Sequence, residues 1–308
     1  MVPVVVRVLA LTFGRLRRPL ETAPSASDST RLLVTPPTST PQVDGISSPP
    51  DSPLIKHIPK SARSDCAAHL ASLLRAATAQ DEKAWLDLFS WGRSILVPPK
   101  RASKRHNLTS VIKNRISDFA PEYHPLPTAD RSRRPASSSA LLSQIITSKL
   151  EDGNIKAAVR VLNSVEKPSN PSEQKWSKLK DKHPTASKPL DGLPCRMQFA
   201  SISVSELDMR RAALSFAAGS AGNPDGLRPQ HLRDLLLCSE SGPELLSALI
   251  AFVDLVVAGG CPTRVAPVFF GGRLLALDKK SGRIRPIAIG FTLRRLVSNV
   301  RILSARKG

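Results

Sequence analysis

Apolar positions recur at helical spacing over most of this chain and change to short continuous runs only near its C-terminal end. In 64–78, Ala67, Leu70, Leu74 and Ala77 share one helical stripe behind Ser64, a capping residue. From Asp81, a second cap, Trp85, Leu88, Phe89 and Leu96 recur at helical spacing until Pro98-Pro99 stops the helix. The two predict a helical hairpin whose aromatic stripe is core rather than a stacking platform, with His69 neutral in an exposed or core position. Residues 138–150 and 155–162 read as short helices parted by the turn triplet Asp152-Gly153-Asn154. Ser203 and Glu206 have capping-box spacing and predict a helix to about Ala217. Pro229 suits the first turn of a helix running through Leu237, and 243–258 reads as a more apolar helix ended by Gly259-Gly260. A last helix over 292–304 carries Arg294, Arg295 and Arg301, and no sheet follows it on which to pack.

Between these last helices the period changes. Two apolar runs, 274–277 and 287–289, flank Lys279-Lys280-Ser281-Gly282, which predicts a β-hairpin with that loop at its tip. Strand alternation places Arg283, Arg285, Ile287 and Ile289 on one face and Ile284, Pro286 and Ala288 on the other. Lys279, Lys280, Arg283 and Arg285 then crowd one short ribbon, and they repel unless water or an anion such as phosphate surrounds them. On these residues alone a solvated hairpin and a phosphate site fit equally.

The remaining stretches lack periodicity. Residues 19–55 are rich in Pro, Ser and Thr and bury too little apolar surface to offset their ordering entropy, so disorder is expected. Residues 166–195 mix Lys, Pro, Ser and Asp and read as a linker, with Trp176 as an isolated anchor or an exposed side chain. The basic run 100–106 fits a nuclear-localisation signal, a phosphate patch or a solvated loop, and 131–134 fits a linker. The organisation expected is a disordered N-terminus (1–55), a helical hairpin with a basic linker (56–134), short helices and a linker (135–200), and a final unit (201–308).

Charge points to a polyanionic partner. The chain carries 45 Lys and Arg against 25 Asp and Glu, a formal net charge of +20. Residues 264–308 hold eleven of those cations and the single acid Asp278, so half the net charge lies on the hairpin and the helix after it. Cys66, Cys195, Cys238 and Cys261 form no CxxC pair and have no histidine at ligand spacing, which predicts reduced intracellular thiols and no zinc. No apolar run reaches a membrane span of about 20 residues. Residues 1–18 are apolar and basic, but Arg7 interrupts the apolar core, against a secretion signal; a mitochondrial presequence and an unselected extension both fit, and the location expected is intracellular, nuclear ahead of mitochondrial.

Gly219, Gly222 and Pro224-Asp225-Gly226 form a glycine-rich loop before a helix, but the Walker lysine and a preceding strand are both missing. Taken together, 216–232 with that turn, the hairpin with Arg285-Pro286-Ile287, and Thr292-Leu293-Arg294-Arg295-Leu296 resemble the fingers of reverse transcriptases encoded by non-LTR retrotransposons. The resemblance covers about the last 105 residues, with a weaker echo in 153–162. It implies a mainly α fold with a small β-hairpin, a partial α+β fingers unit, and RNA, DNA and a nucleotide triphosphate as partners. Arg285 matches the position whose cation contacts the triphosphate and Lys279 the basic residue on the preceding strand; Pro224, Asp225 and Gly226 match a turn that sets the next helix near the template. Arg283 stands where the family pattern has Gly, and Phe291 where it has an acid.

Polymerisation in that family uses palm aspartates that hold two divalent metals, Mg in the intact enzyme. This chain has no Asp-Asp pair, and its one tyrosine, Tyr123, precedes His124. The expectation is therefore a truncated fingers region with no catalytic residues, cofactor or metal of its own. Two alternatives stand beside it: a noncatalytic basic nucleic-acid-binding protein, for which 4% aromatic residues leave few to stack on bases, and a decayed open reading frame without activity.

Overall fold

The computed structural model describes residues 54–99, 107–121, 138–163, 167–168, 172–182, 203–222, 225–279 and 281–305. The expected disorder before residue 54, the basic runs 100–106 and 131–134, Pro224, Lys280 and Cys195 lie outside them. The described chain is mostly helical: α1 (Arg63–Thr78), α2 (Glu82–Ile95), α3 (Leu108–Ser117), α4 (Ser138–Glu151), α5 (Ile155–Leu162), α6 (Glu173–Asp181), α7 (Glu206–Leu214), α8 (Pro229–Leu236), α9 (Gly242–Val257), α10 (Ala266–Phe269) and α11 (Thr292–Ala305). Its sheet has strand order β1-β2-β3, from β1 (Lys167–Pro168), β2 (Gly272–Asp278) and β3 (Ile284–Gly290), all antiparallel.

One apolar core joins the N-terminal helical hairpin to the C-terminal helices, because α1 packs along both α2 and α9. The expected stripe of α1 is the buried one: Ala67, Leu70, Leu74 and Ala77 are all at most 1% exposed. Trp85 of α2 is fully buried with its Nε1 donating to the Ala77 carbonyl at 3.0 Å, and its ring lies 4.9 Å from Phe252 and 5.4 Å from Phe269. Each such aromatic removes a large apolar area from water, and Trp is tolerated here because its N–H has a partner. His69 is the acceptor for Trp91 Nε1 at 3.2 Å, and burial lowers its pKa, so it is a neutral packing residue.

Several boundaries differ from the pattern-based reading. Ser64 does not cap α1, which begins behind Ala62; its hydroxyl meets Ser241 at 2.9 Å instead. Asp81 does cap α2, accepting from Lys83 N at 2.9 Å. The cap of α7 is Ser205, bonded to Asp208 N, rather than Ser203 paired with Glu206, and the helix ends at Leu214 because Ser215 turns back onto the Ala212 carbonyl. Helix α3 has no counterpart in that reading, although Asn107 caps it at 3.1 Å. Nor has α6, which with β1 occupies part of the stretch expected to be linker. Among the described side chains of α6, Leu179 is buried at 7% exposure and the helix lies against β3, while the side chain of Trp176 lies outside the described residues.

Helix α11 packs within the described chain on one face, while Ile302 on it is 52% exposed. Leu293, Leu296 and Val300 are at most 4% exposed and pack against α7 and α9.

Candidate phosphate-binding hairpin

The β2–β3 hairpin pairs Gly272 with Gly290 at its base and Asp278 with Ile284 at its end. Its turn closes with Gly282 N donating to Lys279 O at 3.0 Å and Lys279 N donating to Arg283 O at 2.9 Å, while Gly282 takes φ +68°. A glycine in the left-handed region costs nothing sterically and lets the turn match the strand twist. Pro286 interrupts no ladder because β3 is an edge strand, where a missing N–H can face away from β2.

Of the expected cations, Lys279 is half-buried at the tip, and Arg283 and Arg285 are exposed. Arg283 lies in the turn, just before β3, so strand alternation fixes the direction of Arg285 but not of Arg283. Ile284 between them is 5% exposed, which turns the arginines outward on either side of an anchored residue. The hairpin's acid, Asp278, is occupied by Lys175 of α6 at 3.0 Å, and among the described residues no acid pairs with Lys279 or Arg283. The tip is therefore a concentration of positive charge on a hydrogen-bonded ribbon.

Arginines in α11 behave differently. Arg294 Nη1 donates to the carbonyls of Phe270 at 2.6 Å and Gly271 at 3.0 Å, at the base of β2. Arg295 Nη1 donates to Ala221 O at 2.9 Å and lies 5.1 Å over the Phe216 ring. Burial lowers the pKa of both guanidiniums, yet a guanidinium stays charged and here serves as a strut. One helix thus holds the hairpin base and the glycine-rich loop together, a role the basic composition of α11 did not reveal. Phe291, where the resembled family has an acid, is buried 4.7 Å from the Phe89 ring, and Thr292 Oγ1 donates to Leu227 O at 2.6 Å.

The turn at Asp225-Gly226 sits inside the molecule. Gly226 has φ +76°, and a Cβ there would fall 2.2 Å from Leu54 Cδ1; a Cβ on Gly92 of α2 would lie 2.6 Å from the Asp225 carbonyl oxygen. Glycine is required at both places, once for conformation and once for close approach. Asp225 is 4% exposed, burial pushes its carboxyl up to about 8, and its Oδ1 has no hydrogen-bond partner. The side chain therefore shapes the loop from within and does not face a ligand.

The following helix is clamped by the segment 54–58. His231 is fully buried; Nδ1 accepts Arg228 N–H at 3.2 Å, so Nε2 carries the proton and donates to Ile55 O at 2.9 Å. Burial first of all lowers its pKa to about 4, leaving it neutral. Asp234 accepts from Ile58 N at 3.0 Å and Gln230 Nε2 at 3.0 Å and pairs with Arg63 at 3.2 Å. A buried carboxylate with this many partners is satisfied, and losing one would strand its charge. On the opposite side, Lys149 and Asn154 hold the carbonyls of Gly219 and Ala218 at 2.7 and 2.6 Å.

Among the described residues no group of three or more His, Cys, Asp and Glu side chains could hold a metal ion. The donor set at the hairpin is cationic and does not fit a resident Mg ion. Among the described residues no helix is long and apolar enough to cross a membrane. Cys66, Cys238 and Cys261 are free thiols, and burial pushes Cys66 and Cys261 up to about 12, so neither is a ready thiolate. No protein-family model, curated protein or solved structure matches this chain.

Proposed function

We propose that this chain bears the fingers of an RNA-directed DNA polymerase of non-LTR retrotransposon type, and that the β2–β3 tip holds the phosphates of a nucleotide or of nucleic acid. The observation that carries this reading is the state of the tip: its acid, Asp278, is occupied by Lys175, while among the described residues no acid pairs with the half-buried Lys279 or the exposed Arg283. Guanidinium and ammonium groups suit phosphate oxygens, and a ribbon fixed at its base by Arg294 presents them with little ordering cost. In this reading Asp225 and Gly226 contribute by setting the start of α8, not by touching the template.

A noncatalytic binder that stacks bases on aromatic rings has less support among the described residues, where Trp85, Trp91, Phe89, Phe252, Phe269 and Phe291 are buried and Phe270 is 38% exposed. The 308 residues hold no Asp-Asp pair, so they are not expected to extend a primer with Mg; incorporation by the purified chain would refute that.

Binding of a fluorescent deoxynucleoside triphosphate and of a labelled RNA oligonucleotide, each titrated with salt, tests the site. Arg285→Ala should reduce the salt slope of binding to the single-stranded RNA by about 0.7 and weaken the triphosphate. Unchanged binding of both probes at every salt concentration would remove the hairpin from consideration.

A further inference from the structure

We propose that α6 and the hairpin together form a track for the sugar–phosphate backbone of a nucleic-acid strand, longer than the tip alone could engage. The inference rests on the reading of the hairpin as a phosphate-binding element and adds residues that composition assigned to a linker. Leu179 seats α6 on β3, and Lys175 reaches across to Asp278 at 3.0 Å. Lys175 and Lys178 are three residues apart on α6, and Lys182, one residue past its end, follows four beyond Lys178, so the three lysines succeed one another beside the face that Leu179 buries. Lys178 and Lys182 are exposed, while Lys175 neutralises the acid that would otherwise repel a phosphate at the tip.

Length decides between a triphosphate and a polymer. At a rise of about 1.5 Å per residue, Lys175 and Lys182 are separated by roughly 10 Å along the helix direction, before the hairpin is added. A single triphosphate is served by charges gathered within the few residues of the tip, whereas cations on two elements suit phosphates that succeed one another along a chain. Residues 173–182 hold four lysines against the two acids Glu173 and Asp181, and with Lys175 paired to Asp278 the remaining surplus is a single positive charge.

The test uses the full chain, a single-stranded RNA of about 20 nucleotides, a fluorescent deoxynucleoside triphosphate, and polyglutamate as a competing polyanion. The double substitution Lys178→Ala with Lys182→Ala should lower the RNA salt slope by about 1.4, following about 0.7 per phosphate contact for single strands, and leave the triphosphate affinity unchanged. Both side chains are exposed, so circular dichroism of the variant should match the parent. An unchanged RNA slope would overturn the track, as would equal loss of triphosphate binding or competition by polyglutamate as strong as by unlabelled RNA. The double substitution Arg283→Ala with Arg285→Ala separates the two readings. If it affects neither probe, the hairpin reading fails, whereas a failure confined to the Lys178 and Lys182 variant strikes α6 alone.

Discussion

The helical body and the hairpin with α6 spend their charges in opposite ways. In the body, Arg294 and Arg295 cap backbone carbonyls, Asp234 gathers Ile58 N–H, Gln230 and Arg63, and His231 bridges Arg228 to Ile55. At the hairpin and α6, Arg283, Lys178 and Lys182 stand at the surface, and one ion pair removes the local acid. A basic residue therefore carries little functional information by itself. Its meaning depends on whether carbonyls lie within reach, and the same residue type is a strut in α11 and a candidate ligand-binding group at Arg283 in the hairpin turn.

The contrast can be broken most forcefully in the core. Trp85→Ala should cost about 3–5 kcal/mol of unfolding free energy in urea, since it removes a fully buried ring and its hydrogen bond. A loss under about 1 kcal/mol would mean the N-terminal hairpin does not share the core with α9. Next in size is Gly226→Ala, which combines a φ of +76° with a Cβ only 2.2 Å from Leu54 Cδ1. About 1–3 kcal/mol should be lost, and no change would show that the turn can relax freely.

A smaller, pH-dependent effect belongs to Asp225. Its carboxyl is raised from 3.8 to about 8, so the folded state keeps a proton that the unfolded state has already released. The stability it contributes is full below 3.8 and is lost as pH rises toward 8. His231 acts in the opposite sense, since its folded pKa is lowered from 6.5 to about 4 and stability is lost as pH falls through that interval. Asp225→Asn mimics the protonated form and isolates one of the two: its advantage over the parent should grow across that range and level off above about pH 8. A pH-independent difference in urea midpoint would contradict the burial of this carboxyl. The smallest effect on stability is expected at the surface, where Arg283→Ala with Arg285→Ala should stay within about 0.5 kcal/mol while altering the salt dependence of binding. A large destabilisation would instead place those arginines among the struts.

Much of the architecture could be read from periodicity. The stripe Ala67, Leu70, Leu74 and Ala77, the Asp81 cap, the turn at Gly153, Pro229 at a helix start and the two runs around Gly282 all reappear as expected. These features rest on local chemistry, where a cap, a positive φ or a repeat of 3.6 leaves a mark within a few residues. Helix α6 escaped because its lysine-rich stretch carries no apolar repeat, and the cap of α7 shifted by two residues because Ser203 and Ser205 offer the same group. At the candidate site the cations could be named in advance, but not their division into exposed and engaged. That division required knowing that Phe270, Gly271 and Ala221 bring their carbonyls beside α11, from 23 to 74 residues away.

Taken alone, the order of residues determined where chain segments coil, where they turn and where positive charge collects, because each follows from neighbours within one or two turns. Only the folded arrangement decided that Asp225 is buried, that α11 is a strut, and that α6 lies beside the hairpin. The physical reason is that burial and pairing depend on distances between segments far apart in the chain, and a carboxylate or guanidinium has the same side chain in the sequence whether it will meet water, a carbonyl or a phosphate.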